Sequence, residues 1–135
     1  MAHKREWKFS EQFSKPEFER LLALGEPRSV TAGTLLIRKE ATDDVLFWIR
    51  QGEIAVRDHD GTDYAVFGAD SVVGEMAFVH AHARTADVYA KTDAQLVALP
   101  RTKVFGVLDA PTVAKLSTVL GDEIARRMAA GAPTP

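Results

Sequence analysis

The sequence predicts a mainly β fold with flanking helices: a double-stranded β-helix, or jelly-roll barrel, with an N-terminal helix and two C-terminal helices. Short segments rich in Val, Ile, Phe, Tyr and Thr recur between turn signals from Arg28 to Leu99. Helical patterns precede and follow this region. Several short strands at such spacing are typical of a sandwich or a barrel. The chain has 135 residues, which is enough for one domain with a sizeable core.

The first predicted helix begins at a strong N-terminal signal. Ser14 is a serine N-cap, Pro16 lies in the first turn, and Glu17 follows the cap by three residues. We expect the helix to run to Leu24 and to end at Gly25.

Turn signals divide the middle of the chain into strands. The clearest is Asp60–Gly61 between EIAVRD and TDYAVF, because glycine accepts the positive φ that a tight hairpin turn requires. The other signals are Gly33, Thr42–Asp44, Gln51–Gly52 and Gly68–Asp70. Aspartates near these turns are interpreted as residues that hydrogen-bond to the local backbone, which explains them without a role in catalysis or binding. They are Asp43, Asp44, Asp58, Asp60 and Asp63.

Two helices follow the strands. Thr102–Leu108 has the apolar spacing of a short amphipathic helix. A second helix begins near Pro111, and one apolar stripe follows it for about four turns. The residues of this stripe are Val113, Leu116, Leu120, Ile124 and Met128. Glu123, Arg126 and Arg127 are interpreted as a solvated face of the same helix, with i, i+3 and i, i+4 pairs.

These elements divide the chain into three parts. Residues 1–13 form an N-terminal segment, and residues 14–130 form the domain. Residues 131–135, which read GAPTP, cannot continue a helix and are predicted to be a disordered tail.

The segment GEMAFVHAHARTA, from Gly74 to Ala86, carries the most specific chemistry. A glycine followed by one helical turn leaves backbone N–H groups without intrahelical partners, and the helix dipole behind them favours an anion. Arg84 follows Glu75 by nine residues and can bind the same anion with a planar set of donors. A carboxylate beside a phosphate is repulsive unless it accepts hydrogen bonds from the ligand, and sugar hydroxyls are the usual donors. The segment therefore predicts a site for a ribose phosphate.

This spacing resembles the phosphate-binding cassette of cyclic nucleotide-binding domains, in which F-G-E-L-A-L precedes a short variable turn and then P-R-A-A or R-T-A. The resemblance implies that Glu75 holds the ribose 2′-hydroxyl and that Arg84 pairs with the exocyclic oxygens of the cyclic phosphate. Backbone groups around these two side chains complete the cradle. The ligand-binding residues implied in this way are Val73, Gly74, Glu75, Met76, Ala77, Arg84, Thr85 and Ala86.

The likeness extends to most of the chain. The stretch from Ala32 to Val56 is similar to the family's first strands, with the turn glycine at Gly52. Three positions depart from the family pattern: Val73 replaces an aromatic residue, Ala83 replaces a frequent proline, and Ala41 replaces a glycine. These departures concern packing near the base and the rigidity of the loop, and none removes a charged contact.

The resemblance also implies what the ligand is and how it acts. The ligand is cyclic AMP or cyclic GMP. Members that prefer cyclic GMP often carry threonine directly after the arginine, as Thr85 follows Arg84 here, although a strand-end threonine bonded to backbone is the alternative. The last two helices correspond to the family's B and C helices, and the C helix folds over the base as a lid. We expect a sensor, not an enzyme, that relays occupancy through this helix to a regulatory target or a second copy.

Composition limits other roles. The absence of cysteine excludes disulfides, thiolate metal sites and cysteine nucleophiles. The formal net charge of −2 argues against a nucleic-acid surface, so we expect no direct DNA binding. No apolar run approaches the roughly 20 residues of a membrane helix, and the N-terminus lacks the apolar core of a secretory signal. We expect a cytoplasmic protein without membrane contact.

Two alternatives come from other classes of protein. His80 and His82 are spaced like ligands in cupins, which are metal-dependent enzymes with a jelly-roll barrel, but no later histidine completes a site. A ligand-free jelly-roll module for interaction or dimerisation would use the apolar stripe around Leu116 and Leu120. No serine has the setting of a hydrolase nucleophile. We therefore predict no catalytic residues, no metal ligands and no cofactor.

Overall fold

The computed structural model describes residues 7–58, 60–81, 83–131 and 134–135. The eight strands of this part are β1 (Glu26–Val30), β2 (Leu35–Ile37), β3 (Val45–Gln51), β4 (Ile54–Arg57), β5 (Asp63–Phe67), β6 (Val72–Val73), β7 (Asp87–Ala90) and β8 (Ala94–Pro100). Its helices are a 3₁₀ turn (Ser10–Gln12), α1 (Lys15–Leu22), α2 (Glu75–His80), α3 (Arg101–Val107) and α4 (Ala110–Ala129). None of these helices is long and apolar enough to cross a membrane.

The strands form two four-stranded sheets, in the orders β1-β8-β3-β6 and β2-β7-β4-β5. All paired strands are antiparallel. Each sheet therefore mixes strands from the two halves of the sequence, which is the arrangement of a jelly roll. The predicted fold class, a jelly-roll barrel with an N-terminal helix and C-terminal helices, is confirmed.

The predicted hairpin joins β4 to β5. Asp58 N–H donates to the Thr62 carbonyl at 3.0 Å, and Gly61 has a φ of +86°. A residue with a side chain is strained at this φ, so the glycine is what permits the tight return.

Two apolar clusters lie on the two sides of the first sheet, and β3 contributes to both. Alternate residues of β3 point to opposite faces, so Phe47 and Ile49 pack in the barrel interior while Leu46 and Trp48 pack against the helices. This explains why four consecutive residues of an antiparallel strand are buried. The helix-side cluster also contains Leu116 of α4, so α4 is docked on the barrel.

The first helix has the predicted start and an earlier end. Ser14 accepts a bond from Glu17 N–H, and Glu17 accepts one from Ser14 N–H, which completes a capping box. The helix ends at Leu22, two residues before the predicted Leu24, with Ala23 as its C-cap. Lys115 of α4 donates to the Glu17 carboxylate at 2.8 Å, which ties the two helices together.

The apolar stripe of α4 departs from the prediction at its end. Leu116, Leu120 and Ile124 are buried, but Met128 is 63% exposed and Arg127 is buried in its place. The reason is helical phase: with 3.6 residues per turn, positions 11 apart differ by about 20° around the axis and positions 12 apart by about 120°. A strict i, i+4 pattern therefore leaves the buried face within a few turns.

The described residues do not test the predicted division of the chain into an N-terminal segment, a domain and a tail. Residues 1–6, 132 and 133 lie outside the described residues. Thr85 Oγ1 donates to the Thr134 carbonyl at 3.4 Å, and Pro135 is buried. The domain boundaries and the disorder of residues 131–135 stay predictions.

Candidate ligand-binding site

The predicted cassette begins where β6 leaves the first sheet. Gly74 follows this strand with a φ of +94° and precedes α2. A Cβ atom at Gly74 would lie 2.7 Å from Arg84 Nη1 and 2.7 Å from the Val45 carbonyl oxygen. The position therefore requires glycine for both its backbone conformation and its close approach to the arginine.

Arg84 is buried and bonded to the protein's own acceptors. Its Nε and Nη2 donate to the two carboxylate oxygens of Asp43 at 3.2 and 2.7 Å. Its Nη1 donates to the Gly74 carbonyl at 3.1 Å, and Nη2 donates to the Val45 carbonyl at 2.6 Å. The bond from Arg84 holds the pKa of the Asp43 carboxyl below its usual value, against the opposing effect of partial burial. Four of the five guanidinium N–H groups are thus engaged.

Glu75 is fully buried at the start of α2. Its Oε1 accepts a bond from Arg127 Nη1 at 2.5 Å. Its Oε2 has no hydrogen-bond partner among the described residues. Burial raises the pKa of this carboxyl, and the charge of Arg127 opposes the rise. A buried carboxylate oxygen without a donor is costly, so this atom is suited to a ligand hydroxyl.

Arg127 belongs to a network that joins α4 to the cassette. Its Nε donates to Glu123 at 2.8 Å, and its Nη2 donates to the Val72 carbonyl at 2.8 Å. Arg126 Nη2 donates to both oxygens of Glu123 at 2.7 and 2.6 Å. Glu123 and Arg127 are buried, so the interpretation of these residues as a solvated helix face is wrong. The cause is the cassette itself, since Glu75 supplies a buried partner that α4 alone does not reveal.

The other implied ligand residues lie around these two centres. Val73 is buried in the barrel interior and pairs with Phe47 across the sheet. Ala77 and Ala86 are buried, and Met76 is half-buried. Thr85 is exposed and bonds to Thr134, as described above. The structure thus brings Gly74 and Arg84 into direct contact, and it directs Glu75 towards α4.

Sequence reasoning missed three residues that hold the two charged side chains. Asp43 was interpreted as a turn aspartate without chemistry, and it is instead the ionic partner of Arg84. Glu123 and Arg127 form a spacing that is common on solvated helices. The one available signal was the phase of α4, which places position 127 on the buried face.

The described residues include only one of the two histidines of the cupin-like alternative. His80 is exposed, and His82 lies outside the described residues. Within the described ranges, no group of three or more His, Asp or Glu side chains is arranged to hold a metal ion.

The fold and the site together define a jelly-roll domain in which a left-handed glycine contacts a buried arginine and directly precedes a buried acid. The family of cyclic nucleotide-binding domains matches residues 27–110, which is more than half of the chain. The chain belongs to the cyclic nucleotide-binding domain family.

The curated relatives that this chain matches are longer than the chain itself. It is 30% identical over 116 residues to Glutaminase 2 of Bradyrhizobium diazoefficiens, a match that covers 84% of the chain and 18% of the glutaminase. It is 36% identical over 73 residues to a cyclic nucleotide-gated potassium channel of Rhizobium etli, covering 54% of the chain and 20% of the channel. The catabolite activator protein of Thermus thermophilus has the same fold, with a TM-score of 0.76 and 21% identity over 87% of this chain and 56% of that one. The chain thus spans a fifth or less of these two curated relatives.

Proposed function

We propose that this domain binds a cyclic purine mononucleotide, cyclic AMP or cyclic GMP, at the cassette between Val73 and Ala86. Glu75 accepts a hydrogen bond from the ribose 2′-hydroxyl, and Arg84 donates to the cyclic phosphate. Backbone groups of Gly74 and its neighbours Met76, Ala77, Thr85 and Ala86 complete the contact. The observation that carries this proposal is the Oε2 of Glu75, a fully buried acceptor that has no partner among the described residues and that a sugar hydroxyl would satisfy.

The phosphate reaches Arg84 by exchange with Asp43. The side chain of Asp43 is 45% exposed, so water can replace the guanidinium around it at little cost. The two backbone carbonyls that also hold Arg84, those of Gly74 and Val45, keep the guanidinium in place during the exchange. A bidentate bond to a phosphate is as strong as one to a carboxylate, so the exchange favours the ligand when its other contacts are added.

Ligand binding is coupled to the docking of α4 through Glu75. Arg127 binds Oε1 of this carboxylate, so a hydroxyl on Oε2 adds to the ion pair and does not replace it. Binding is therefore tighter when α4 is docked, and a ligand shifts the population towards the docked helix. The receiver is a regulatory partner or a second copy of the chain, and the domain senses without catalysis in the cytoplasm.

The choice between the two bases rests on Thr85. Its hydroxyl donates to the Thr134 carbonyl, and its oxygen can at the same time accept a hydrogen bond from a base amino group. A guanine amino group gains from this hydroxyl and adenine lacks the corresponding group, so the ratio of the two affinities in Thr85→Val reports the contact.

Isothermal titration with cyclic AMP and cyclic GMP tests the proposal. We expect Arg84→Ala to weaken binding by about 1.5 to 3 kcal/mol, the value of a hydrogen bond to a charged group. Glu75→Gln should lose most of the preference for cyclic AMP over its 2′-deoxy analogue. Arg28→Ala, which removes an exposed arginine on β1, is the matched control and should bind as the parent does.

Because Arg84 is buried, its alanine variant needs a check of folding by circular dichroism, and Arg84→Lys keeps the charge for comparison. Equal affinity in parent and Arg84→Ala would refute the site. A parent that binds neither nucleotide would favour the ligand-free interaction module, for which the existing partners of Arg84 and Glu75 are the supporting observation.

A further inference from the structure

Arg126 lies outside the cassette but is connected to it by a series of ion pairs between side chains. Its guanidinium bonds both oxygens of Glu123, whose carboxylate also accepts from Arg127. Its side chain is 56% exposed, and it lies over the ring of Trp7 with 5.5 Å to the centroid. The connection from the exposed Arg126 to Glu75 therefore runs through three ion pairs, two of them within one turn of α4.

The charges of the side chains in this series of ion pairs balance only when Arg126 is included. Glu75 and Glu123 are two buried carboxylates, and both are paired with the buried guanidinium of Arg127. Without Arg126, a single positive charge would have to neutralise two acids in a region of low dielectric. One acid would then take up a proton, because an unpaired buried charge is very costly. Glu75 is the better candidate, since no group in the described part of the chain donates to its Oε2.

We propose that Arg126 is a positioning residue for the ligand site. By neutralising Glu123, it allows the charge of Arg127 to neutralise Glu75. It thereby keeps the Glu75 carboxylate ionised and able to accept a hydrogen bond. The consequence for ligand affinity rests on the proposed function. The consequence for the charge of Glu75 does not, because it concerns the free protein.

The other charged groups near Glu75 do not take over this role. Arg84 bonds the neighbouring Gly74 carbonyl, but its charge is already paired with Asp43. His80 is exposed at the far end of α2. Burial raises the pKa of the Glu75 carboxyl, and so does the charge of Glu123 on α4, while Arg127 on the same helix lowers it. Neutralising Arg126 increases the effect of Glu123, so the pKa of Glu75 should rise.

The test is a pH titration of the Glu75 side-chain carboxyl carbon by ¹³C NMR, in the full chain without ligand. Glu75→Gln assigns the signal. We expect Arg126→Gln to raise the midpoint by about one pH unit, and Arg126→Lys, which keeps the charge, to restore most of it. Arg50→Gln is the matched control: it removes the same charge from another arginine that lies over a tryptophan, 5.3 Å from the centroid of Trp48, without a bond to this series of ion pairs.

A midpoint that is the same in parent and Arg126→Gln, or that moves equally in Arg50→Gln, would overturn the inference. Nucleotide affinity measured across the same pH range gives the second readout. In Arg126→Gln the loss of affinity on acidification should begin at higher pH than in the parent. If the parent binds no cyclic nucleotide, the proposed function fails, and the NMR titration still decides the role of Arg126.

Discussion

The two charged centres of the site are held in opposite ways. Arg84 is paired with Asp43, an acid whose side chain is almost half exposed. Glu75 is paired with Arg127, and both of these side chains are buried. The first centre exposes its counter-ion to water, and the second has one buried oxygen to which none of the described residues donates.

For the proposed ligand, this difference predicts two modes of contact. At Arg84 an incoming anion exchanges with a carboxylate that water can readily solvate, so the ion pair is replaceable. At Glu75 the counter-ion cannot be released without leaving a buried charge, so the ligand has to add to the pair. The exchangeable centre suits the phosphate, and the additive centre suits the hydroxyl and the connection to α4.

The largest expected effect comes from the buried centre. Arg127→Met should lower the free energy of unfolding by about 3 to 5 kcal/mol, because it leaves the buried Glu75 carboxylate without its counter-ion. Urea denaturation followed by circular dichroism measures this. The double variant Glu75→Met/Arg127→Met should recover part of the loss, since it removes the unpaired acid as well. A double variant as unstable as the sum of the two single variants would mean that the pair contributes nothing as a pair.

An intermediate effect is expected at the glycine between the two centres. Gly74→Ala and Gly61→Ala both place a side chain at positive φ, but of these two positions only 74 has atoms of the described residues within 4 Å of the added Cβ. Gly61→Ala should cost about 1 kcal/mol of backbone strain, and Gly74→Ala about 1 kcal/mol more because it also meets Arg84 and a backbone carbonyl. Thermal unfolding of both variants gives the difference. Equal losses would show that the close approach of Arg84 to Gly74 is not a constraint.

The smallest effect is expected at the exchangeable centre. Asp43→Asn should tighten cyclic nucleotide binding by about 1 kcal/mol, since a neutral amide competes less well than a carboxylate for Arg84. Titration calorimetry at low salt measures this. Asp44→Asn, the next residue along the same turn, is the control for the loss of charge alone.

The pH dependence of this gain has a definite sign. Arg84 lowers the pKa of Asp43 in the folded protein, so the pair stabilises the fold above the ordinary carboxyl value and is lost as the pH falls through the lowered one. The advantage of Asp43→Asn over the parent should therefore disappear in the same acidic range. An advantage that persists there would contradict competition by the carboxylate.

The elements with local signals were predictable. The capping box at Ser14 and the Asp60–Gly61 turn are written in a few adjacent residues, and both are confirmed. The buried face of α4 was predictable only over three turns, because the i, i+4 spacing chosen for Met128 drifts away from the true helical phase. The partner of Arg84 could not be predicted, since Asp43 lies 41 residues earlier and has the appearance of any turn aspartate.

The sequence alone determined a jelly-roll barrel flanked by helices, because strand periodicity, caps and turns are local properties of the chain. The equally local Gly-Glu-to-Arg spacing predicted the cassette as the ligand site. Only the tertiary structure decided which charges neutralise each other. That choice depends on which side chains lose their water together, and burial of Glu75, Glu123 and Arg127 arises when α4 docks on the barrel. A pattern that is solvated on an isolated helix becomes an ion network once a second buried acid faces it.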